Sequence, residues 1–543
     1  MSGAMRTALF GALVAAIAVF PGLGTGTLWD NSETAYGEVA REILLTHDWV
    51  VMHLNLTPWF VQPPLYFWIA AVFAKVFGVG SFALRLPSAL ATVAMGATIG
   101  YATATLAGSR VGMYGAIVLS TSLMQAVIGR MAIMDALLDL AVAVGILALF
   151  RAFTGGRAIA SVLGAAIAIA LGVLDKGPVA LVVVAIVIVP WLVWERYAGA
   201  RLSCPPAWSW LVALGLLLAI DAPWFALLVS RAGLFAFNRL IGHYTFGRYL
   251  GTIESQSGPI WYYVPVVILG FFPWIAYLPG AIAAAWRRAR TPDGMSVHVA
   301  RLALVWSIAP FIFFSLAGTK LPNYLALELP ALAILVALWF DQLALGEHRR
   351  SALIATAVIP LTIGAVAIAI VLFARDAHIV TGMEAVIGDL AMMGAIICVG
   401  SIITLVFLSM HRTETAPYVF AATAIVMVTY TILIGEPHAE RFKPVPALAA
   451  VIREHAQEGD LVAIQGVAGG NGLIFYTHPH VNVIGANVDA RGVICSASRT
   501  FLITSTQRAG NEAIGGREKH VVATFGNDVL LLFTSPGPEP ARC

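Results

Sequence analysis

Apolar residues along this chain run in blocks close to the roughly 20 residues that a helix needs to cross a bilayer. Thirteen such blocks predict spanning helices, at residues 7–23, 86–106, 111–127, 136–150, 159–174, 179–194, 208–229, 260–286, 299–316, 324–343, 352–373, 390–410 and 417–434. A further apolar run over 64–78 is near 14 residues, which suits an interfacial or re-entrant helix better than a span. With that run lying flat, Arg110, Arg151, Arg196, Arg287, Arg349, Arg412 and their arginine neighbours all fall on one side. Short loops rich in arginine mark the cytoplasm. The amino terminus is then cytoplasmic. The loops at 24–85, 129–135, 175–178, 230–259, 317–323 and 375–389 lie outside, with the carboxyl-terminal segment.

The pattern changes in two places. Residues 33–45 alternate with a helical period: Tyr36, Val39, Ala40, Ile43 and Leu44 form an apolar stripe, and Glu38, Arg41 and Glu42 a polar face. Ser32 or Asn31 can cap this helix, which is expected to lie at the membrane surface. After residue 434 the apolar blocks stop. A helix is expected over 444–457, and short strands at 461–465, 481–484, 500–504, 520–524 and 529–533, separated by turn residues. The chain therefore reads as an all-α polytopic membrane domain over 1–436 and a small α/β domain over 437–543. Gly469-Gly470-Asn471-Gly472 in the latter is a turn signal rather than a phosphate loop.

Composition supports this reading. The chain has 543 residues, 59% hydrophobic and 11% charged, against roughly 25% charged in soluble globular proteins. Its mean hydropathy is +0.86. A net charge of +3 and the lack of a long basic run give no argument for nucleic-acid binding. Cys204, Cys398, Cys495 and Cys543 have no metal-ligand spacing. Cys495 and Cys543 could pair if the tail is exported. The first apolar block is not followed by an Ala-x-Ala cleavage site, so it is expected to be a retained helix.

Ionisable groups near a bilayer are costly, so several on one face point to a functional site. Asp30 and Glu33 stand at a helix start after the first span; either could instead complement the helix dipole. Asp135 and Asp139, four apart, could share a helix face, or Asp135 could pair with Arg130. Lys176, in a tight outer turn, suits an anion or could snorkel to the interface. Lys320 repeats that logic, and His243 and Arg248 share one outer loop. Arginine and lysine match a phosphate by charge and hydrogen bonding.

These residues, taken in order, resemble the bacterial lipid A aminoarabinose transferase family, a GT-C-type glycosyltransferase group related to protein O-mannosyltransferases. The matching pieces are Trp29-Asp30-x-x-Glu33-x-x-Tyr36 with Glu38-Val39-Ala40-Arg41-Glu42, Pro63-Pro64-Leu65-Tyr66-Phe67-Trp68, and Ala83-Leu84-Arg85-Leu86-Pro87-Ser88. Asp135, Lys176-Gly177-Pro178, Pro223-Trp224, His243 with Arg248, and Lys320-Leu321-Pro322-Asn323-Tyr324 complete the set. The resemblance implies a GT-C fold of thirteen spans, amphipathic juxtamembrane helices and a periplasmic tail domain in the bacterial inner membrane. It implies inverting transfer of a sugar from a polyprenyl phosphate donor to lipid A or another envelope glycolipid. Asp30 would then be the general base or orient the acceptor, with Glu33 as a second catalytic carboxylate, and Asp135 would help orient the acceptor or a cation. Lys176, His243, Arg248, Lys320 and Tyr324 would hold the donor phosphate. Tyr36, Gln62 and Arg85 would contact substrate.

One departure stands out. The family has a Glu-Lys pair before the double proline, where this chain has Val61-Gln62-Pro63-Pro64. An anion contact and a candidate metal ligand are lost with it, which leaves both a divalent metal and the identity of the sugar open; a galacturonosyl or mannosyl donor is an alternative. A non-enzymatic transporter of lipid-linked saccharides is the competing class. It would more often show repeated halves with sites near the midplane, and no internal repeat is visible here.

Overall fold

The structure is a computed structural model that describes residues 2–535 apart from 30, 156, 254–255, 292–293, 377–383, 478–479 and 510–516. The chain forms two units. One comprises Met1–Leu23, Phe60–Tyr66 and Arg85–Gly435; the other comprises Gly24–Trp59, Phe67–Leu84 and Glu436–Cys543.

The first unit is helical. Among the described residues, 10 helices are long and apolar enough to cross a membrane. Three of the thirteen expected spans have another form. The first is the 17-residue helix Gly3–Val19, about 26 Å long at 1.5 Å per residue, short of a hydrocarbon core of about 30 Å. The second is broken into Ser109–Ser120 and Leu123–Ile128. At the break, the Thr121 and Ser122 hydroxyls donate to the Ile117 and Leu119 carbonyls, which ends the first helix locally. The third is broken into Tyr263–Gly270, a short turn Trp274–Ala276, and Leu278–Ala289; Pro273 at the break has no N–H to continue a helix. The two breaks meet. The Leu123 N–H donates to the Phe272 carbonyl at 3.0 Å, and the Trp274 indole donates to Thr121 Oγ1 at 3.0 Å. Backbone groups freed in an apolar setting are thereby satisfied inside the protein.

Elsewhere the helices approach through small residues, as membrane helices must when lipid offers no hydrophobic contrast. A Cβ on Gly11 would lie 2.3 Å from the Gly96 carbonyl oxygen, so only glycine allows helices Gly3–Val19 and Ser81–Ala107 to touch there. Arg130 donates to the Val19, Pro21 and Gly22 carbonyls at 2.6, 2.6 and 2.9 Å, closing the carboxyl end of the first helix.

The run over 64–78 is the 13-residue helix Leu65–Phe77, too short to span. The second unit pairs the first long loop with the carboxyl-terminal domain. Helix Glu33–Thr46 carries the expected apolar stripe, but its polar face is not turned to solvent: Glu33, Glu38, Arg41 and Glu42 are all buried. Arg41 donates to Glu38 and to the Phe475 carbonyl, and the Glu42 carboxylate accepts the Leu56 N–H. Burial pushes the Glu38 carboxyl up to about 8, against the pull of Arg41. Ser32 stands at the cap position but makes no side-chain cap bond, and Glu33 accepts the Trp29 N–H at 2.8 Å.

After a two-residue hairpin, β1 His53–Leu54 and β2 Thr57–Pro58, come β3 Leu461–Gln465, β4 Val481–Ile484, β5 Arg499–Ser505, β6 Glu518–Phe525 and β7 Asp528–Thr534. The last five form one sheet in the order β4-β3-β5-β7-β6; β3 runs parallel to β4 and β5, and β7 antiparallel to β5 and β6. Helix Pro444–His455 covers one face through Val445, Leu448 and Ile452 against Val462, Phe501 and Leu530. The other face holds Ala463, Leu502 and Leu531 against Ala490 and Ile494. Central strands covered on both faces explain their near-continuous apolar runs. The glycine run enters helix Gly470–Thr477. Cys543 is outside the described residues, so its expected pairing with Cys495 is too.

Candidate active site

Three helix ends in the first unit build the site. Asp135 opens helix Asp135–Thr154, and Lys176 closes helix Ala158–Lys176. Each charge complements the dipole of its own helix end. The Lys176 ammonium donates to Asp135 Oδ1 at 2.5 Å, and the Asn323 amide donates to the same oxygen at 2.6 Å. Asn323 sits on the 3-10 turn Pro322–Glu328, as does Tyr324, whose ring centroid is 5.3 Å from Lys176 Nζ.

Arg248 comes from the segment after helix Ala207–Phe237, which kinks at Gly233 and continues as the wider helix Asn238–Gly247. The Arg248 guanidinium lies 5.6 Å from the Tyr244 ring centroid. Its backbone is fixed from across the site. The Arg248 carbonyl accepts the Thr319 N–H at 3.0 Å, and the Tyr249 carbonyl accepts the Gly318 N–H at 2.8 Å. Gly318 is required for this approach, because a Cβ there would lie 2.6 Å from the Gly251 backbone. The Thr319 hydroxyl donates to the Gly251 carbonyl and accepts the Ile253 N–H.

These residues surround a cavity of about 320 Å3. Gln62, Asp135, Lys176, Tyr244, Arg248, Tyr249, Thr319 and Tyr324 supply its polar lining, and Leu138, Val179, Val182, Phe313, Phe314 and Leu327 an apolar wall. Among the described residues, two cations and one carboxylate line the cavity, so the charged part favours an anion. The wall is built from membrane-helix side chains. A ligand with an anionic head and a hydrocarbon tail matches both parts.

The expected site residues separate accordingly. Asp135, Lys176, Arg248, Tyr324 and Gln62 come together. His243 is exposed, packs edge-on against Tyr244 at 4.9 Å and does not line the cavity. Lys320 also stays out of the lining. It is buried and donates to the Ser315 and Ala317 carbonyls, both at 2.7 Å, closing helix Met295–Leu316, and burial lowers its affinity for a proton. Arg85 is buried with its guanidinium on the Leu23 carbonyl. Glu33 and Tyr36 belong to the second unit, where Tyr36 packs edge-on against Trp59 and Phe67. Asp30 is outside the described residues. Sequence reasoning missed Asn323 and Tyr244 as site residues. Both stand inside motifs already singled out; only tertiary structure aims Asn323 at Asp135, whereas Tyr244 precedes Arg248 by four residues, a helical spacing visible in the sequence. Asp139 and Asp175 are buried beside the site and outside its lining. Among the described residues no group of three His, Cys, Asp or Glu side chains could hold a metal ion.

The structure aligns with the crystal structure of ArnT from Cupriavidus metallidurans bound to undecaprenyl phosphate, with a TM-score of 0.81 and 22% identity, over 96% of this chain and 97% of that one. The chain has a GT-C fold. The family model described as dolichyl-phosphate-mannose-protein mannosyltransferase matches residues 61–228 of this GT-C chain. In sequence the chain is similar to the undecaprenyl phosphate-alpha-4-amino-4-deoxy-L-arabinose arabinosyl transferases. It is 29% identical to that of Erwinia tasmaniensis over 67% of this chain and 64% of the relative. It is 30% identical to that of Yersinia enterocolitica over 64% of this chain and 61% of the relative. The GT-C chain thus spans under two thirds of the length of these curated relatives. By its membrane-length helices it is a multi-pass membrane protein.

Proposed function

We propose that this chain is an integral membrane glycosyltransferase that moves a sugar from a polyprenyl phosphate donor to a lipid acceptor such as lipid A. The observation that carries the reading is the cavity in which, among the described residues, Lys176 and Arg248 share the lining with the carboxylate of Asp135, beside a wall of apolar helix side chains. A polyprenyl phosphate gains charge as its bond to the sugar breaks, so cations at that point stabilise the transition state more than the ground state. Tyr324 and Tyr244 border those cations. Asp135, positioned by Asn323 and Lys176, orients the acceptor, and Asp30 takes its proton. The transmembrane domain is 1–436. The 437–543 domain and the site lie on the periplasmic side of a bacterial inner membrane, as the arginine-rich loops at the other helix ends support.

Val61 and Gln62 favour a second reading of the sugar. Gln62 lines the cavity and is neutral. With valine in place of the usual glutamate, a cationic amino sugar has one fewer acidic partner. A galacturonosyl, mannosyl or other hexosyl donor then competes with aminoarabinose.

Purified enzyme would be given undecaprenyl phosphate carrying each of these sugars, with lipid A as acceptor, with and without EDTA, and the products read by mass spectrometry. Transfer from one donor, retained in EDTA and lost in Lys176→Ala and Arg248→Ala, is the expected result. Failure of every donor with correctly folded protein would overturn the reading. Loss in EDTA restored by one divalent ion would assign the leaving-group charge to a metal.

A further inference from the structure

A second cavity of about 360 Å3 lies in the first unit among helices Asp135–Thr154, Ala158–Lys176, Val179–Tyr197 and Ala207–Phe237. All of its lining side chains are apolar, including Leu149, Phe153, Val162, Leu192, Trp210 and Leu217. It opens sideways, since Leu181, Val189, Trp210 and Leu214 in its wall are 39–56% exposed. It is separate from the Asp135–Lys176 site, which lies at the opposite ends of the first two of these helices.

The mouth of the groove is basic. Arg157 precedes helix Ala158–Lys176, five residues before Val162 in the wall. Arg196 stands one helical turn beyond Leu192 in the wall. Arg201 is in the connection whose Ser203 N–H donates to the Phe153 carbonyl at 2.7 Å, which ties that loop to the groove. All three arginines are exposed. The one carboxylate at this end of these helices is Glu195, which is buried and accepts from Arg301 at 2.6 Å, with His298 Nδ1 at 2.9 Å. Among the described residues, no carboxylate pairs with the three guanidiniums. Exposed Tyr197 and Trp208 flank the mouth as interfacial aromatics do.

We infer that this groove is a binding site for an anionic glycerophospholipid of the bilayer, one acyl chain filling the apolar slot and the phosphodiester resting among Arg157, Arg196 and Arg201. Guanidinium groups are weakly hydrated and fork onto phosphate oxygens, which suits them to an interfacial phosphodiester. A zwitterionic lipid brings its own cation to the same place and gains less. A transmembrane helix of a partner would fill the slot but leave the arginines unmatched.

The test uses the full-length protein released from mixed micelles in native mass spectrometry, with phosphatidylglycerol or phosphatidylcholine as the lipid. One phosphatidylglycerol should be retained per chain, about tenfold more than phosphatidylcholine. Retention should fall about tenfold in the triple variant Arg157→Gln/Arg196→Gln/Arg201→Gln. Ala185→Phe, at an exposed position of the wall, should do the same by filling the slot without entering the helix core. Phosphatidylglycerol should raise the melting temperature of the parent and not of either variant. Equal retention of the two lipids, or parental retention in both variants, would overturn the inference. So would displacement of phosphatidylglycerol by one equivalent of undecaprenyl phosphate, which would make the groove a second seat for a polyprenyl chain.

Discussion

Asp135 with Lys176 and Glu195 with Arg301 are both carboxylate–cation pairs near helix ends, at 2.5 and 2.6 Å, set at opposite ends of the same helical unit. The Glu195 pair is closed. Arg301 also donates to the Ala289 carbonyl at 3.0 Å, His298 lies beside the carboxylate, and none of the three lines either cavity. The Asp135 pair borders a cavity with a second cation, Arg248, across it. Both are carboxylate–cation pairs at nearly the same distance, so neither property identifies a functional pair. What separates them is whether the charges are used up inside the protein or presented to space that a ligand can fill.

The largest expected effect is on the closed pair. Glu195→Ala leaves a buried guanidinium uncompensated, and breaking one side of such a pair costs about 3–5 kcal/mol. Melting in detergent should show that loss, while transfer per folded molecule stays near parental; a variant as stable as the parent would mean the network contributes little. At the open pair the balance should reverse. Lys176→Ala and Arg248→Ala should each lower turnover by about 10²–10³-fold, the usual range for removing a group that stabilises developing charge. Their melting temperatures should move far less than that of Glu195→Ala. Parental turnover in either variant would put the leaving phosphate elsewhere. Asp30→Asn should cost transfer roughly a hundredfold, in line with general-base contributions. Unchanged transfer would leave Asp30 as a helix-start charge.

Much of this was legible in the chain. The sheet strands fall within a residue or so of their expected bounds, because apolar runs between turn residues leave little freedom of register. Asp135, Lys176 and Arg248 stood out because charge is rare beside membrane helices. The breaks at Thr121–Ser122 and near Pro273 were not legible. Hydropathy averages over a block, and each break is stabilised by the other. The polar face of Glu33–Thr46 also misled: Glu38, Arg41 and Glu42 look solvent-facing in one dimension and are buried within their unit. Lys320 was read as an anion ligand for the same reason that Lys176 was. The direction of the Ser315 and Ala317 carbonyls decides between them, and no local pattern reports it.

Two smaller effects sharpen that distinction. Lys320→Met removes two buried hydrogen bonds but no lining group, so turnover should change less than about threefold while stability falls by about 1–3 kcal/mol. A hundredfold loss of turnover at normal stability would return Lys320 to the phosphate. The smallest concerns pH. The Glu38 carboxyl, near 8 in the folded protein, returns to the ordinary range near 4.5 on unfolding. Between those values the folded form holds more protons, so this group's contribution to stability declines as pH rises towards 8 and is flat above it. The melting temperature should therefore be lower at pH 8.5 than at pH 6, and Glu38→Gln should flatten the difference. The same slope in that variant would place its origin in another group.

Arg248 is carried on an arm tied down along its length. The bonds from Gly318, Thr319 and Lys320 to the carbonyls of Tyr249, Arg248 and Gln256 fasten it to the segment that follows helix Met295–Leu316. Peeling the arm away would leave the N–H groups of the buried residues Thr319 and Lys320 without these backbone partners, at about 1–3 kcal/mol for each group left unmet. The arginine is thus a fixed post rather than a swinging gate. On the proposed function, substrates come and go past it, and any motion that carries it must carry that helix end as well.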